Sequence, residues 1–263
     1  IQFVNIHKNE VKVMSKLFIP YIMGNKKFID NLKVLQEEGA DIVEIGLPFS
    51  DPVADGPTIM DAGSKAIKEG MSARVILDEL KAHKDELQGS KYVLMTYYNV
   101  ILHYGEAAFL EDCEAAGVYG LIIPDLPFEL AEQLKARFPD RKVNIISLIA
   151  MTASNERIEH IAAHAEGFIY TVTMNATTGD NGAFHPELQQ KIAFIQEKAN
   201  VPVVAGFGIR TPEQVAEVTR FADGAVIGSE IVKRFANDEE ATTRGYLQSI
   251  RKALDENKTT AQS

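Results

Sequence analysis

Short runs of apolar residues alternate along the chain with longer stretches of helical periodicity. The runs are rich in Val, Ile, Leu, Phe and Tyr, and Gly, Pro, Asn or Asp flank the stretches between them. This pattern predicts strands at Leu17–Ile22, Asp41–Gly46, Tyr92–Thr96, Gly120–Pro124, Val143–Ile149, Phe168–Val172, Pro202–Gly206 and Gly224–Ile227. Helices are predicted between successive strands, and a last helix is predicted from about Glu230.

Strands that are apolar on both faces are typical of a parallel sheet covered by helices. Eight strand–helix units in about 250 residues fit a closed (β/α)₈ barrel, with a doubly wound open sheet as the alternative. No Pro, Gly or Ser-rich linker divides the chain, so we predict one barrel domain over residues 14–263. Met14 leads directly into the first strand, and we interpret residues 1–13 as an N-terminal extension outside the fold.

Composition narrows the class of protein. A net charge of −10 disfavours binding to nucleic acid. No apolar stretch reaches the roughly 18 residues that span a membrane, and residues 1–13 lack the features of a secretory signal. The single cysteine, Cys113, lies on a predicted helix as a structural thiol, which is typical of the reducing cytoplasm.

The predicted second strand carries a carboxylate where an apolar residue is expected. Within "ADIVEIG", side chains alternate between the two faces, so Val43 and Ile45 face the helices and Glu44 points into the barrel. Catalytic groups of such barrels lie at the carboxyl ends of strands. Aliphatic surroundings raise the pKa of a carboxyl group, which suits Glu44 to proton exchange near neutrality. An inward glutamate paired with a cation is the alternative.

The loop that follows, "GLPFSDPVADGP", carries two more carboxylates, Asp51 and Asp55. Its three prolines restrict the backbone and hold those side chains in few positions. Both aspartates are candidates for the site, and both also fit the simpler role of capping a turn or the next helix.

Two glycine turns follow the last two strands, in "AGFGIRTPEQ" and "IGSEIVKRF". Glycine lets backbone N–H groups approach an anion, and a helix N-terminus favours negative charge. Barrels often bind phosphate at these two loops. We therefore predict a phosphate site at Gly208, Gly228 and Ser229, although each turn alone fits ordinary turn chemistry.

The sixth predicted strand runs into a long loop rich in Thr, Asn and Gly, "TMNATTGDNGAFHPE". Thr178 and Gly179 are candidates for the same anion site. Tyr170 alternates inward and either contacts the ligand or packs in the core.

No predicted strand ends in a lysine, which disfavours an imine-forming aldolase. None of the six histidines lies at the end of a predicted strand, which disfavours a histidine-bound metal. They are His7, His83, His103, His160, His164 and His185. The class of reaction that remains is acid–base chemistry by carboxylates, without a metal, on a small phosphorylated molecule.

Five segments closely resemble the tryptophan synthase alpha subunit family: "ADIVEIGLPFSDPVADGPTI", "LIIPDLP", "GFIYTVTMNATTG", "VPVVAGFGIRTPEQV" and "GAVIGSEIVK". The resemblance implies a single (β/α)₈ barrel that cleaves indole-3-glycerol phosphate to indole and glyceraldehyde 3-phosphate without a cofactor of its own. It places the catalytic acid/base at Glu44, and it implies that Asp55 stabilises charge at the indole N–H.

The resemblance also implies substrate-binding residues: Tyr170 and Phe207 at the indole, and Gly179, Gly208, Gly228 and Ser229 at the phosphate. It implies an α₂β₂ complex whose β subunit holds pyridoxal phosphate, with Asp51–Val53 and the long loop facing that partner. The chain departs from the family pattern at "MGNKKF" and "MNATTG", two regions concerned with closure and partner coupling. Another phosphosugar barrel, such as an isomerase, and a ligand-binding subunit without activity are the alternatives.

Overall fold

A computed structural model describes residues 15–172, 186–206 and 208–257. Nine parallel strands form one sheet. They are β1 (Leu17–Met23), β2 (Ile42–Gly46), β3 (Lys91–Met95), β4 (Gly120–Ile122), β5 (Asn144–Ile145), β6 (Ser147–Ala150), β7 (Ile169–Val172), β8 (Val203–Gly206) and β9 (Gly224–Ile227). The strand order is β5-β4-β3-β2-β1-β9-β8-β7-β6.

The two strands at the ends of this order belong to one continuous segment, and the sheet therefore closes on itself. β5 pairs with β4, β6 pairs with β7, and only Ile146 separates the two short strands. This confirms the (β/α)₈ barrel and rules out the open sheet. The predicted fifth strand, Val143–Ile149, is wrong as one continuous strand, because its hydrogen bonding passes from one neighbour to the other at Ile146.

Eleven helices lie within the described residues. They are α1 (Phe28–Glu37), α2 (Pro57–Lys68), α3 (Ala73–Ala82), α4 (Tyr98–Tyr104), α5 (Glu106–Ala115), α6 (Phe128–Arg137), α7 (Asn155–Ala163), α8 (Pro186–Lys198), α9 (Pro212–Val218), α10 (Ser229–Asn237) and α11 (Glu240–Glu256). The short helix α4 was not predicted, and the single last helix is two. Gly105, with φ of +95°, separates α4 from α5, and the extended backbone at Asp238 separates α10 from α11.

Strand register decides which side chains enter the barrel. Tyr21 on β1 lies directly beside Glu44 on β2, which lies beside Val93 on β3, so these three side chains share the inner face. Val43 and Ile45 point the other way, and both are fully buried. The alternation predicted for β2 is confirmed. No helix in the described part of the chain is long and apolar enough to cross a membrane.

Candidate active site

Glu44 lies inside the barrel near its carboxyl-terminal mouth, with only 5% of its surface exposed. Burial raises the pKa of this carboxyl group to about 8, and the negative charge of Asp55 adds to the effect. Among the described residues, no lysine, arginine or histidine forms an ion pair with it. The alternative of a glutamate paired with a cation is therefore not met among these residues, and Glu44 holds a proton near neutral pH.

Asp55 lies in the loop between β2 and α2 and lines the same cavity as Glu44. Partial burial raises its pKa, and a hydrogen bond from the Tyr97 hydroxyl opposes that rise. The loop leads directly into α2, whose first residue is Pro57, where a missing N–H costs nothing. Asp51 is exposed and accepts a hydrogen bond from the Ser50 hydroxyl at 2.5 Å, which fits the simpler turn role.

Two buried tyrosines lie against glycines on neighbouring strands. A side chain added at Gly46 would overlap the Tyr21 hydroxyl and come within 2.6 Å of its Cζ. One added at Gly206 would lie 2.5 Å from the Tyr170 hydroxyl. Both tyrosines line the cavity, and burial raises the pKa of each well above its ordinary value. The glycines thus give the tyrosine rings room to lie across the strand ends.

The glycine turns after β8 and β9 also line the cavity. Gly208 adopts φ of +78° in front of α9, whose N-terminus is closed by a capping box between Thr211 and Gln214. Gly228 is the N-cap of α10, and Ser229 is its first residue. Gly208, Gly228 and Ser229 all line the cavity that Glu44 and Asp55 enter. The N-terminus of α10, where the first N–H groups have no partner within the helix, therefore lies at this cavity.

This cavity has a volume of about 540 Å³, within the range that holds a small organic ligand. It brings together Glu44, Asp55, Tyr170 and the three residues of the glycine turns. Phe207, Thr178 and Gly179 lie outside the described residues. Sequence reasoning missed Tyr21, which looks like a core residue of β1, and Arg210, an exposed cation beside the glycine turns.

Arg210 is held by its backbone. Its N–H donates to the Gln214 side chain at 2.8 Å, and its carbonyl accepts from the Tyr246 hydroxyl at 2.7 Å. Its position just after a glycine turn is the sequence feature that could have identified Arg210 as a candidate site residue.

Within the described residues, no three His, Cys, Asp or Glu side chains are grouped as metal ligands.

The fold and this cavity place the chain among the (β/α)₈-barrel enzymes, whose chemistry takes place at the carboxyl ends of the strands. The sequence pattern of one family, described as tryptophan synthase alpha chain, matches residues 8–262. The chain therefore belongs to the tryptophan synthase alpha chain family.

Comparisons with individual relatives support the family assignment. The tryptophan synthase alpha chain of Staphylococcus carnosus is 78% identical over 250 residues, which are 95% of this chain and all of that one. The fold is similar to that of tryptophan synthase subunit alpha from Legionella pneumophila, with a TM-score of 0.81, 30% identity, and coverage of 92% of this chain and 93% of that chain. It is also similar to a chain of the open form of tryptophan synthase from M. tuberculosis, with a TM-score of 0.82, 28% identity, and coverage of 92% and 94%.

Family membership confirms the resemblance noted in the sequence. The alpha chain cleaves indole-3-glycerol phosphate, so this chain is a carbon–carbon lyase of tryptophan biosynthesis. The isomerase and the inactive-subunit alternatives are set aside.

Proposed function

We propose that Glu44 is the general acid/base of the lyase reaction. Cleavage to indole and glyceraldehyde 3-phosphate requires a proton at indole C3 and the removal of one from a glyceryl hydroxyl. A carboxyl group with a pKa of about 8 is protonated in part and ionised in part near neutrality, so it can serve in both steps. The observation that carries the proposal is the burial of Glu44 in the cavity with no cation paired to it among the described residues.

We assign to Asp55 the stabilisation of positive charge that develops at the indole N–H. It lines the same cavity from a loop stiffened by prolines. Burial raises the pKa of Asp55, and the interaction with Tyr97 opposes that rise and favours the ionised form that this role requires. The two carboxyl groups thus take different roles in different surroundings.

Phosphate binding is assigned to the backbone at Gly208, Gly228 and Ser229, together with Gly179 and Thr178 of the long loop. Support comes from the N-terminus of α10, whose first residue lines the same cavity as the carboxylates. Tyr170 and Phe207 are assigned to the indole end. The net charge of −10 does not oppose this, because local N–H dipoles do the neutralising.

The test is release of indole from indole-3-glycerol phosphate by the wild type and by Glu44→Gln. The amide keeps the shape of the side chain but cannot transfer the proton, so we expect kcat to fall about 1,000-fold. Glu111→Gln changes an exposed glutamate on α5 and serves as the matched control. Equal rates for Glu44→Gln and the wild type would refute the assignment.

For the assembly, we propose that the chain works in an α₂β₂ complex, that it holds no cofactor itself, that pyridoxal phosphate lies in the β subunit, and that the complex is cytoplasmic. Val53, in the loop with Asp51 and Asp55, is 80% exposed at the mouth of the barrel, which suits contact with a partner. Indole formation measured with and without β subunit tests the coupling. An unchanged rate and no co-purification would argue against it.

A further inference from the structure

Arg210 follows the glycine turn after β8 and lines the active-site cavity while staying exposed to solvent. Among the described residues that line this cavity, it is the only lysine, arginine or histidine. Its guanidinium takes part in no ion pair or hydrogen bond with the described part of the chain, because the two hydrogen bonds of Arg210 use its backbone. A positive charge without a partner among these residues therefore lies beside the proposed phosphate site.

Contacts to α9 and α11 fix the backbone of Arg210 on both sides. The N–H donates to the Gln214 side chain at 2.8 Å, and the carbonyl accepts from the Tyr246 hydroxyl at 2.7 Å. Tyr246 is buried, and the guanidinium of Arg234 lies over its ring at 4.0 Å from the centroid. The Arg210 side chain thus starts from a fixed point, while its charged end is available to a ligand.

The other charged groups at the cavity leave a bound phosphate short of positive charge. The acidic residues that line it are Glu44, Asp55 and Glu230. Arg234 is already paired with Glu230 at 2.8 Å and with Asp238 at 3.2 Å. A phosphate monoester carries about 1.5 to 2 negative charges near pH 7, whereas a helix N-terminus offers the equivalent of about half a positive charge. Backbone N–H groups therefore neutralise only part of the phosphate.

We propose that the guanidinium of Arg210 binds the phosphate of indole-3-glycerol phosphate, in addition to the backbone N–H groups of the glycine turns. The proposal rests on the phosphate site proposed above and adds a charged side chain to it. Arginine suits this role, because its planar fork can donate two parallel N–H···O bonds to a phosphate. The phosphate takes no part in the cleaved bond, so the contact is equal in the substrate and the transition state. It therefore strengthens binding of the phosphorylated substrate and not the chemical step.

The first test measures indole release by the wild type, by Arg210→Gln and by Arg220→Gln, which changes an exposed arginine just after α9. We expect Arg210→Gln to raise KM about tenfold with kcat within about twofold of the wild type, since a charged hydrogen bond that acts on binding alone is lost. Arg210→Lys keeps the charge but not the fork, and its KM should fall between the two. Arg220→Gln should match the wild type. An unchanged KM for Arg210→Gln would overturn the proposal.

The second test shows whether the effect depends on the phosphate. Glycerol 3-phosphate carries the anionic group, and indole-3-glycerol, the dephosphorylated substrate, lacks it. Arg210→Gln should weaken inhibition by glycerol 3-phosphate about tenfold and inhibition by indole-3-glycerol less than about twofold. Equal weakening of both would mean that the substitution only disturbs the cavity wall, and the proposal would be wrong.

The same measurements separate this proposal from the phosphate site on which it rests. If glycerol 3-phosphate does not compete with the substrate in the wild type, the phosphate binds elsewhere and both proposals fail. If it competes equally well in Arg210→Gln, the backbone site stands and only the role of Arg210 is refuted.

Discussion

The two ends of the barrel use carboxylates in opposite ways. At the amino-terminal end, three of them accept the backbone N–H of a residue at or next to the start of a neighbouring strand: Asp41 from Phe18 at 2.8 Å, Asp223 from Val203 at 2.8 Å, and Glu166 from Ile145 at 2.9 Å. Asp41 and Glu166 also pair with Arg251 and Arg141. At the mouth, Glu44 and Asp55 have no cation partner among the described residues. The carboxylates that are paired with N–H groups and cations stabilise the starts of the strands, whereas Glu44, buried without a cation among the described residues, can exchange a proton.

The largest effect at the mouth of the barrel is expected from a substitution that changes the space in the cavity and not its charge. Gly46→Ala would place a methyl group against the Tyr21 hydroxyl and 2.6 Å from its Cζ. The ring must then move, and with it the wall of the cavity beside Glu44. A displacement of about 1 Å near reacting groups costs about 100-fold in rate, and we expect that loss in kcat/KM.

A second substitution should reverse part of that loss. Tyr21→Leu removes both the hydroxyl and Cζ, so Gly46→Ala with Tyr21→Leu should be more active than Gly46→Ala alone. Tyr21→Phe should not rescue, because Cζ stays. Gly245→Ala, where a side chain on α11 meets nothing within 4 Å, is the matched control. If the two effects simply add, Tyr21 and Gly46 are not coupled.

The opposite end should respond in stability and not in rate. Arg251 on α11 donates to Asp41 at 2.9 Å, to the carbonyl of Lys16 at 2.9 Å and to Asp255 at 3.0 Å, and so connects the last helix to the first two strands. Removal of one partner of a partly buried pair leaves the other charge unpaired, and we expect Arg251→Ala to lower the free energy of unfolding by about 2 kcal/mol.

Urea denaturation measures this loss, and kcat at a temperature where both proteins are folded should stay within about twofold of the wild type. Arg220→Ala changes an exposed arginine just after α9 and is the comparison variant. A large fall in kcat for Arg251→Ala would show that the two ends are not as separate as their contacts indicate.

Some of these features could be predicted from the sequence, and others could not. Local sequence patterns predicted the strands and helices whose number indicated the barrel, the inward direction of Glu44 and the glycine turns, because each of these features depends on residues within a few positions of one another. The break at Ile146 depends on which strands lie on either side, and short α4 has too few turns to show a period. The family resemblance supplied the role of Asp55, which the loop alone left open between catalysis and capping.

The tyrosines show why the rest was missed. Tyr21 and Tyr97 both stand in or beside apolar strands, where a core tyrosine is the ordinary interpretation. The Tyr21 hydroxyl affects the site because Gly46 lies beside it, and the Tyr97 hydroxyl because Asp55 lies near it. The fold brings both partners from other segments of the chain. Sequence pattern indicates which face a side chain occupies but not which polar atom it meets there.

The smallest expected effect joins activity to stability at a single residue. The folded protein holds a proton on Glu44 up to about pH 8, whereas the unfolded chain releases it near the ordinary pKa of 4.5. Between these values the folded state binds more protons than the unfolded state, so the contribution of this group to stability falls as pH rises. Glu44→Gln does not titrate. Its melting temperature relative to the wild type should therefore increase from about pH 7 to about pH 8, by the equivalent of about 1 kcal/mol. Glu111→Gln should show no such trend, and a difference independent of pH for Glu44→Gln would mean that Glu44 is already ionised in the folded protein and is not the proton-holding acid of this site.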